Sequence, residues 1–563
     1  MTQVTIAKLI AEALLINGVK RIYGIIGTSI LDFIDALYDY QDRINFITTR
    51  HEQVAVSAAD GEARVTANFG VAAVHAGPGF MNSLISLAIA MKDRIPVLLI
   101  TGGVRRRLRG TDAWLEVDQE SIAKAIVKKY LRISKSSEAI EILGEAFRNL
   151  LTYPRGPVVI EVPEDIWNEK VELKSEDLEL LKIKEAIPER PPQNIVKEIA
   201  NSLINSKRPL ILACGELVYN KYFESQYLIS LAEKTGSYIV TSGNARGACS
   251  EDHERSLGRC GFGGGNIVAD NAIENCDFLL VLGNEFDDIT TYAYTLLPKG
   301  EVFVISKDDS VNKRPRYYEF LNYEPLYFLK ELNEQISGKY THNKSEWDSK
   351  ILEWKNQWMK MIEEALNKKY SNAVNPSKFF YFLDKLAPKN RIITGGQGVH
   401  ILYAYDFIKI YKPRTFLAST NLGAMGYAFP AAIGAKISNV NDEVITILGD
   451  GDFMMTVQDL ETLKREKIPL KIIIVNDNSY RVLYLRQVIQ KQGRIYETLL
   501  SNPDFVALAN SFGIEGIRVD NDDKIDEAIN KLLNSKESYL VELIIDPNDM
   551  PPLNLKQTLA MSR

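Results

Sequence analysis

The chain is poor in the residues that build zinc clusters and disulfide frameworks. It has 563 residues but only four cysteines and five histidines. Cys214, Cys249, Cys260 and Cys276 contain no Cys-x-x-Cys pair and all fall in the middle third of the chain. This spacing excludes the common structural zinc motifs and gives no reason to expect a disulfide scaffold. We therefore predict small, buried thiols at these positions.

The chain also lacks an excess of positive charge and a long uninterrupted apolar run. Its 67 lysines and arginines face 73 aspartates and glutamates, a net charge of −6, which disfavours a nucleic-acid partner. The N-terminus shows no basic-then-apolar signal pattern. The most apolar long stretch, residues 70–91, is interrupted by His75, Pro78 and Asn82. It predicts a strand, a turn and a buried helix rather than a membrane span, and we expect a cytoplasmic protein without a membrane partner.

The order of apolar runs predicts three consecutive α/β domains. At about 150 residues for each domain, the length suggests three or four. Apolar runs alternate with helical stretches, as in mostly parallel sheets flanked by helices. The predicted strands are 21–26, 70–75, 96–101, 157–162, 209–213, 238–241, 278–282, 302–305, 391–394, 443–448, 470–475 and 539–544. We expect domains at 1–185, 193–335 and 360–545, linkers at 183–192 and 337–343, and a tail or flap at 546–563.

The strongest functional signal is a pair of strand ends in the third predicted domain. One apolar run ends in Gly449-Asp450-Gly451, and the next ends in Asn476-Asp477-Asn478. Both aspartates stand where parallel strands deliver their carboxyl ends, which is where open α/β sheets bind ligands. Glycines let the backbone approach a phosphate closely, and two carboxylates suit Mg²⁺. The pair predicts a Mg²⁺–diphosphate site.

Other short motifs accompany this pair in a definite order. Alone they are weak: Glu52 predicts an exposed carboxylate at a helix start, and Gly-Pro-Gly predicts a turn. The motifs are Arg50-His51-Glu52-Gln53, Ala58-Ala59-Asp60-Gly61-Glu62-Ala63-Arg64, Gly77-Pro78-Gly79, Gly396-Gln397 and Leu422-Gly423-Ala424-Met425-Gly426. Taken together, they resemble the motifs of thiamine-diphosphate enzymes of the acetolactate synthase, pyruvate oxidase and 2-oxo acid decarboxylase family, above all the acetolactate synthase large subunit.

The resemblance implies pyrimidine-binding, central Rossmann-like and diphosphate-binding domains, with thiamine diphosphate and Mg²⁺ as cofactors. Asp450 and Asp477 would bind the metal by their side chains, and Ser479 by its backbone oxygen. Relatives usually carry asparagine at position 477, so this chain has an extra negative charge there. The implied cofactor contacts are Gly396, Gln397, Gly423, Met425, Gly449, Asp450, Gly451 and Asp477. Glu52 would contact the pyrimidine ring from a partner subunit, which implies a homodimer or homotetramer with active sites at the subunit interface.

The implied reaction is decarboxylation of a 2-oxo acid with transfer of the acyl carbanion to an acceptor. Its leading version joins two pyruvates into 2-acetolactate and CO₂. The alternatives are a non-oxidative 2-oxo acid decarboxylase, a 2-hydroxyacyl-CoA lyase or oxalyl-CoA decarboxylase, and a non-catalytic cofactor-binding subunit. A nicotinamide-dependent oxidoreductase is disfavoured because Gly24-Ile25-Ile26-Gly27 does not begin a Gly-x-Gly-x-x-Gly turn.

Several residues that lie near the substrate in this family differ in this chain. Acetolactate synthases usually carry Phe-Gln, Met and Trp where this chain has Trp114-Leu115, Val482 and Arg486. With Gly27, these residues are our candidates for the substrate pocket, and Arg486 suits a carboxylate. The basic run Arg105–Arg109 is either a solvated loop or an anion site for an acidic substrate or a CoA phosphate. His51 and His75 are either structural groups or proton shuttles.

The central domain raises the question of a bound nucleotide. Some relatives bind FAD there and others an adenine nucleotide. The run 261–266 is rich in glycine but follows no clear strand in the sequence, so it is a weak dinucleotide signal. Where acetolactate synthases typically have Arg-Phe-Asp-Asp-Arg, residues 285–289 read Glu-Phe-Asp-Asp-Ile and lack both arginines. The pattern does not favour FAD, and both nucleotides stay open as alternatives.

Overall fold

The computed structural model of the chain describes residues 2–184, 188–315, 317–340, 344–553 and 556. Parts of the expected linkers and most of the expected tail, residues 185–187, 341–343, 554–555 and 557–563, lie outside the described residues. The chain divides into two compact units. Unit 1 consists of Met1–Ile187, Asn421–Val440 and Thr456–Ile468, and unit 2 of Pro188–Thr420, Asn441–Met455 and Pro469–Arg563.

Strands and helices alternate along most of the described chain. The strands are β1 Thr2–Thr5, β2 Arg21–Gly24, β3 Asn45–Thr48, β4 Gly70–Val74, β5 Val97–Gly103, β6 Lys129–Arg132, β7 Val158–Pro163, β8 Lys170–Leu173, β9 Pro209–Ala213, β10 Tyr238–Thr241, β11 Ser256–Arg259, β12 Phe278–Leu282, β13 Glu301–Ile305, β14 Glu319–Leu321, β15 Arg391–Gly395, β16 Phe416–Ala418, β17 Glu443–Gly449, β18 Lys471–Asn476, β19 Glu515–Val519 and β20 Tyr539–Ile544. The α-helices are α1 Ile6–Ile16, α2 Leu31–Leu37, α3 Glu52–Thr66, α4 Pro78–Asp93, α5 Gln119–Ala123, α6 Ala139–Leu151, α7 Ser175–Leu181, α8 Gln193–Asn205, α9 Gly215–Val218, α10 Ser225–Thr235, α11 Ile267–Asn275, α12 Pro325–Gln335, α13 Ser345–Leu366, α14 Pro376–Leu386, α15 His400–Phe407, α16 Ala428–Ser438, α17 Asp450–Phe453, α18 Leu460–Glu466, α19 Arg481–Gln490, α20 Phe505–Ser511 and α21 Ile525–Asn534. Short 3-10 helices lie at Thr28–Ile30, Tyr38–Tyr40, Arg106–Leu108, Ser136–Glu138, Gly243–Ala245, Asp309–Lys313, Val457–Asp459 and Asp522–Lys524.

Unit 1 is built on a parallel sheet with the strand order β3-β2-β4-β5-β7-β6, and β1 and β8 pair as an antiparallel ribbon. Strands β4, β5 and β7 are buried along their whole length. Their apolar runs do not alternate with polar residues because helices cover both faces of a parallel sheet. The carboxyl ends of β2, β4 and β5 therefore meet at one edge of this sheet.

Helix α3 is held in unit 1 by close backbone packing and a buried ion network. A Cβ atom at Gly61 would lie 2.3 Å from the carbonyl oxygen of Ala431 in α16, so only glycine allows this approach. Arg64, fully buried, donates to Asp60 at 2.6 Å and to Asp93 at 2.8 Å. Losing either partner would leave a buried charge uncompensated. This packing fixes the start of α3, where Glu52 stands.

Unit 2 contains two parallel sheets. One has the order β11-β10-β9-β12-β13-β14, and the other β16-β15-β17-β18-β20-β19. The first order is that of doubly wound dinucleotide-binding folds, in which ligands bind at the carboxyl ends where the strand order reverses. Together with the sheet of unit 1, these sheets confirm the expected fold class: α/β, with mostly parallel sheets flanked by helices.

The predicted strands are all present, with ends shifted by a residue or two. One expectation is wrong: the glycine-rich run 261–266 does follow a strand, since β11 ends at Arg259. Helix α13 runs across residue 360, where we expected the third domain to begin. The four cysteines are buried and form no disulfide, as expected. No helix among the described residues is long and apolar enough to span a membrane.

Candidate functional site

The two aspartates predicted to bind a metal come from neighbouring strand ends in unit 2. Strand β17 ends at Gly449, and Asp450 begins the short helix α17. The adjacent parallel strand β18 ends at Asn476, next to Asp477. Asp450 is only 4% exposed. The fold thus brings both carboxylates to one sheet edge, as the strand pattern indicated.

Asp450 is oriented by an asparagine that no sequence motif singled out. Asn502 donates from Nδ2 to Asp450 Oδ2 at 2.7 Å, and the same nitrogen lies 3.1 Å from Asn478 Oδ1. The backbone N–H of Gly451 donates to Asp450 Oδ1 at 2.8 Å. Asn502 therefore links the two strand ends. Its distance in sequence from both motifs explains why sequence reasoning missed it.

Asp477 has its own partners. Ser479 donates from Oγ to Asp477 Oδ1 at 2.6 Å, and Arg481 Nε lies 3.4 Å from Asp477 Oδ2. The Arg481 guanidinium also donates to the hydroxyl of Tyr403 at 3.0 Å. This buried cation compensates part of the charge that an aspartate adds in place of the usual asparagine.

The electrostatics of the pair favour a cation. Burial and, to a smaller extent, the charge of nearby Asp477 raise the pKa of Asp450 to about 6. Burial also raises the pKa of Asp477, against the opposing effects of Arg481 and Ser479. No cluster of three or more His, Cys, Asp or Glu residues in the described chain could hold a metal by itself. A cation here would need further oxygens, which is how Mg²⁺ binds between carboxylates and phosphates.

Glycines near these carboxylates let the backbone pack closely against other side chains. A Cβ at Gly396, just after β15, would lie 1.7 Å from Asp452 Oδ2. At Gly449 it would lie 2.7 Å from His400 Nδ1, and at Gly451 2.9 Å from Tyr480 Cε1. Gln397, which follows Gly396, is exposed. The glycines are therefore needed for packing within the protein, and because they carry no side chain of their own, their backbone N–H groups fit a diphosphate.

The predicted residues for the pyrimidine end of the cofactor lie in unit 1. Glu52 is 8% exposed, so the expectation of an exposed helix-start carboxylate is wrong. Asn82 of α4 donates from Nδ2 to Glu52 Oε2 at 2.9 Å. Gly423, in the left-handed region at φ +70°, and half-buried Met425 belong to the same unit as Glu52. The carboxylates Asp450 and Asp477 belong to unit 2.

The substrate-pocket candidates fall in both units. Gly27 packs against the ring of His75, since a Cβ there would lie 2.4 Å from His75 Cγ. Trp114 is 81% exposed. Leu115, with φ +72°, lines a cavity of about 480 Å³ in unit 1. In unit 2, helix α19 carries Val482, packed against the hydrophobic core, and Arg486, which is half-buried.

The basic run Arg105–Arg109 is largely neutralised by its neighbours. Arg105 pairs with Glu164 at 2.9 Å, and Arg106 pairs with Asp165 at 2.9 Å and also with Glu169. All these side chains are partly exposed, where ion pairs contribute little energy. The pairing favours a surface loop over a phosphate-binding site.

The crevice of the central sheet, formed by β9–β14, does not fit a dinucleotide. Glu285, buried at the end of β12, accepts from the N–H of Gly215 at 2.8 Å and from Asn244 Nδ2 at 2.6 Å. Burial raises the pKa of Glu216, at the end of β9, to about 8. A dinucleotide's phosphates would bind where the strand order of this sheet reverses. There, carboxylates already accept hydrogen bonds from the backbone N–H groups.

Comparison with known proteins agrees with this geometry. Residues 4–122 match the thiamine pyrophosphate enzyme N-terminal TPP binding domain, 196–317 the central domain and 396–543 the C-terminal TPP binding domain. The chain is 32% identical to "Probable acetolactate synthase large subunit" of Methanocaldococcus jannaschii, over 97% of this chain and 93% of that protein. It is 31% identical to "Acetolactate synthase isozyme 2 large subunit" of Escherichia coli, over 96% and 95%. For "Acetolactate synthase 1, chloroplastic" of Nicotiana tabacum the identity is 30%, over 95% and 81%. The chain therefore belongs to the thiamine pyrophosphate enzyme family and is similar throughout its length to acetolactate synthases.

Proposed function

We propose that the protein catalyses thiamine-diphosphate- and Mg²⁺-dependent decarboxylation of a 2-oxo acid and transfers the acyl carbanion to an acceptor, joining two pyruvates into 2-acetolactate and CO₂. The observation that carries this proposal is the pair Asp450 and Asp477 on adjacent strand ends, with a glycine on each side of Asp450. The names of its relatives support the choice of reaction.

The residues of unit 2 would hold the diphosphate end of the cofactor. Bound thiamine diphosphate supplies the electron sink that lets a 2-oxo acid lose CO₂. Asp450, Asp477 and the backbone oxygen of Ser479 would bind Mg²⁺. Asn502 and Arg481, through their contacts with the two carboxylates, would keep both aspartates in position for the metal. The glycine turns at Gly396 and Gly449, with Gln397, would admit the phosphates.

The residues of unit 1 would hold the pyrimidine end. Glu52 of the partner subunit would contact a ring nitrogen, while Gly423 and Met425 of the subunit that binds the diphosphate would support the ring. Asn82 holds Oε2 of Glu52, and Oε1 accepts no hydrogen bond within the described chain. Oε1 is thus available to share a proton with the ring nitrogen. Burial of Glu52 keeps water from competing for that proton.

Glu52 would complete the site of a partner subunit, which makes the active protein a homodimer or homotetramer. Apolar side chains near Glu52 support this assembly. Met81 and Ile85, each 41% exposed, lie one helical turn apart on α4, on either side in sequence of Asn82. Exposed apolar side chains grouped beside a polar site are typical of subunit interfaces.

Complementation between inactive variants tests the shared site. Glu52→Gln and Asp450→Asn each remove one half of it, and each alone should lower kcat by about 100-fold or more. Mixed subunits of the two variants would contain one intact site, so unfolding and refolding them together should restore about a quarter of wild-type activity. No recovery, with sedimentation showing that mixed oligomers have formed, would contradict the shared site.

Product analysis tests the reaction. The holoenzyme, reconstituted with thiamine diphosphate and Mg²⁺, is incubated with pyruvate, and CO₂ and products are followed by NMR. We expect 2-acetolactate. Acetaldehyde alone would favour a simple decarboxylase, and turnover only with acyl-CoA substrates would favour the lyase alternative. Cofactor binding without turnover of any 2-oxo acid or acyl-CoA would favour a non-catalytic subunit.

A further inference from the structure

A histidine with a defined proton position stands beside Glu52. His75 follows β4 in unit 1, and its ring Nδ1 lies 2.8 Å from Ser29 Oγ. The backbone N–H of Ser29 donates to the same Nδ1 at 3.3 Å. Because Nδ1 accepts this N–H, it cannot carry the proton of the neutral ring. The neutral ring therefore carries its proton on Nε2.

The surrounding backbone holds this arrangement in place. Ser29 Oγ accepts from the N–H of Ala76 at 2.9 Å, which leaves its hydroxyl proton to point at His75 Nδ1. The indole N–H of buried Trp167 donates to the Ser29 carbonyl oxygen at 2.7 Å. On the other side, Gly27 leaves the space that the His75 ring fills. The imidazole is thus fixed in one tautomer and one orientation.

His75 and Glu52 both lie beside Gly79. A Cβ atom at Gly79 would lie 3.2 Å from Glu52 Oε1 and 3.2 Å from His75 Cβ. The negative charges of Glu52 and Glu164 each act to raise the pKa of His75. Burial outweighs them and lowers the pKa of His75, so the ring is neutral at pH 7. Nε2 has no hydrogen-bond partner in the described part of the chain, and the ring is only half-buried.

We propose that the Nε2–H group of His75 donates a hydrogen bond to the keto oxygen of the bound 2-oxo acid. The inference rests on the proposed function. Negative charge develops on that oxygen when the carbonyl carbon is attacked, and a fixed neutral donor stabilises it. A neutral donor also has a chemical advantage over a cation. It does not hold the substrate carboxylate in an ion pair that would oppose its departure as CO₂.

Two substitutions, His75→Asn and His75→Gln, distinguish a hydrogen-bond donor to substrate from a purely structural histidine. Asn at position 75 can reproduce the contact of Nδ1 with Ser29 but has no donor near Nε2. Gln can place its amide N–H near Nε2 and loses the Ser29 contact. For His75→Asn we expect kcat with pyruvate to fall about 100-fold. For His75→Gln we expect a fall of no more than about tenfold, because a donor remains.

Three measurements accompany kcat: the KM, the affinity for thiamine diphosphate with Mg²⁺ from protein fluorescence, and the melting temperature. Cofactor affinity should stay within about twofold of wild type in both variants, since His75 contacts substrate only. Ser29→Ala, which removes the hydroxyl that orients the ring, should lower kcat by about fivefold, the cost of one hydrogen bond.

The relative activity of His75→Asn and His75→Gln tests the proposal. If His75→Asn is as active as His75→Gln or more active, with equal melting temperatures, His75 is structural and the inference is overturned. The proposed function would survive that result, because the wild-type enzyme would still convert pyruvate. A wild-type holoenzyme that converts no 2-oxo acid would overturn both.

Discussion

Two sheet edges in unit 2 carry buried acidic residues, and they use them in different ways. At the central sheet, Glu285 and Glu216 accept hydrogen bonds from the protein's own backbone and side chains. At the sheet formed by β15–β20, Asp450 and Asp477 also have partners, but burial and then the charge of the adjacent Asp477 raise the pKa of Asp450. At the first edge the protein's own donors already bind Glu285 and Glu216, whereas the second edge still favours a cation.

The difference shows that topology alone does not make a site. The central sheet has the strand order of dinucleotide-binding folds, yet its crevice is occupied by its own carboxylates. Like charges lie near one another at both edges, since burial and then the charge of Glu285 raise the pKa of Asp287. The edges differ because the donors around Glu285 and Glu216 are already used, whereas two adjacent strand-end carboxylates with raised pKa values suit a bound cation. Arg481 compensates part of the charge at Asp477. The remaining negative charge is what Mg²⁺ would neutralise.

Removing a carboxylate from the metal edge should have the largest effect. Asp450→Asn leaves one carboxylate, so the affinity for Mg²⁺ in the presence of thiamine diphosphate should fall by about 100-fold or more. Titration of Mg²⁺ by calorimetry measures the change. Asp35→Asn, at an exposed carboxylate of α2, is the matched control and should leave the affinity unchanged. Unaltered affinity in Asp450→Asn would remove Asp450 from the metal site.

Replacing a carboxylate by its amide at the central edge should affect the stability of the fold and not metal binding. Glu285→Gln places an amide N–H group among donors that need an acceptor, so it should cost about 2 kcal/mol of unfolding free energy. Chemical denaturation measures this, with Glu364→Gln on the exposed face of α13 as the control. Cofactor affinity should not change. A rise in melting temperature on adding FAD would contradict the structural role of this edge.

Proton binding should compete with metal binding at Asp450. The folded-state pKa of about 6 lies above the ordinary 3.8, so the metal-free folded protein takes up a proton as the pH falls through 6. The stability that this proton contributes is greatest below about pH 4 and is lost as the pH rises through 6. Apparent Mg²⁺ affinity should rise about tenfold for each pH unit up to about 6 and then level off. Affinity independent of pH between 5 and 7 would contradict this.

Loss of the bridging amide should have the smallest effect. Asn502→Ala removes one hydrogen bond to Asp450, so Mg²⁺ affinity should fall by about fivefold, or about 1 kcal/mol. Asn502→Asp is a useful comparison because it adds a third negative charge beside Asp450, which should raise the pKa of that aspartate further. If Asn502→Ala weakens binding as much as Asp450→Asn does, Asn502 is itself a ligand.

The interior strands of the three parallel sheets could be predicted from the sequence, and their edge strands could not. Strands such as Gly70–Val74 and Lys471–Asn476 lie in the sheet interior, and their apolar runs stand out. The edge strands Lys129–Arg132 and Glu515–Val519 are mostly half-buried and contain charged residues, so no run marks them. For the same reason we expected no clear strand before the glycine-rich run 261–266. The strand that precedes it, Ser256–Arg259, reads Ser-Leu-Gly-Arg and contains no apolar run.

The sequence by itself determined the fold class, because interior strands leave apolar runs, and it indicated the order of the domains and the cofactor family, because its motifs resemble those of known enzymes. Only the tertiary structure decided which side chains act together. It brought Asn502 to Asp450, Arg481 to Asp477 and Asn82 to Glu52, and it placed the proton of His75 on Nε2 through its contacts with Ser29. Most of these partners come from separate elements of the fold, and a hydrogen bond depends on distance and direction in space, which sequence separation does not record.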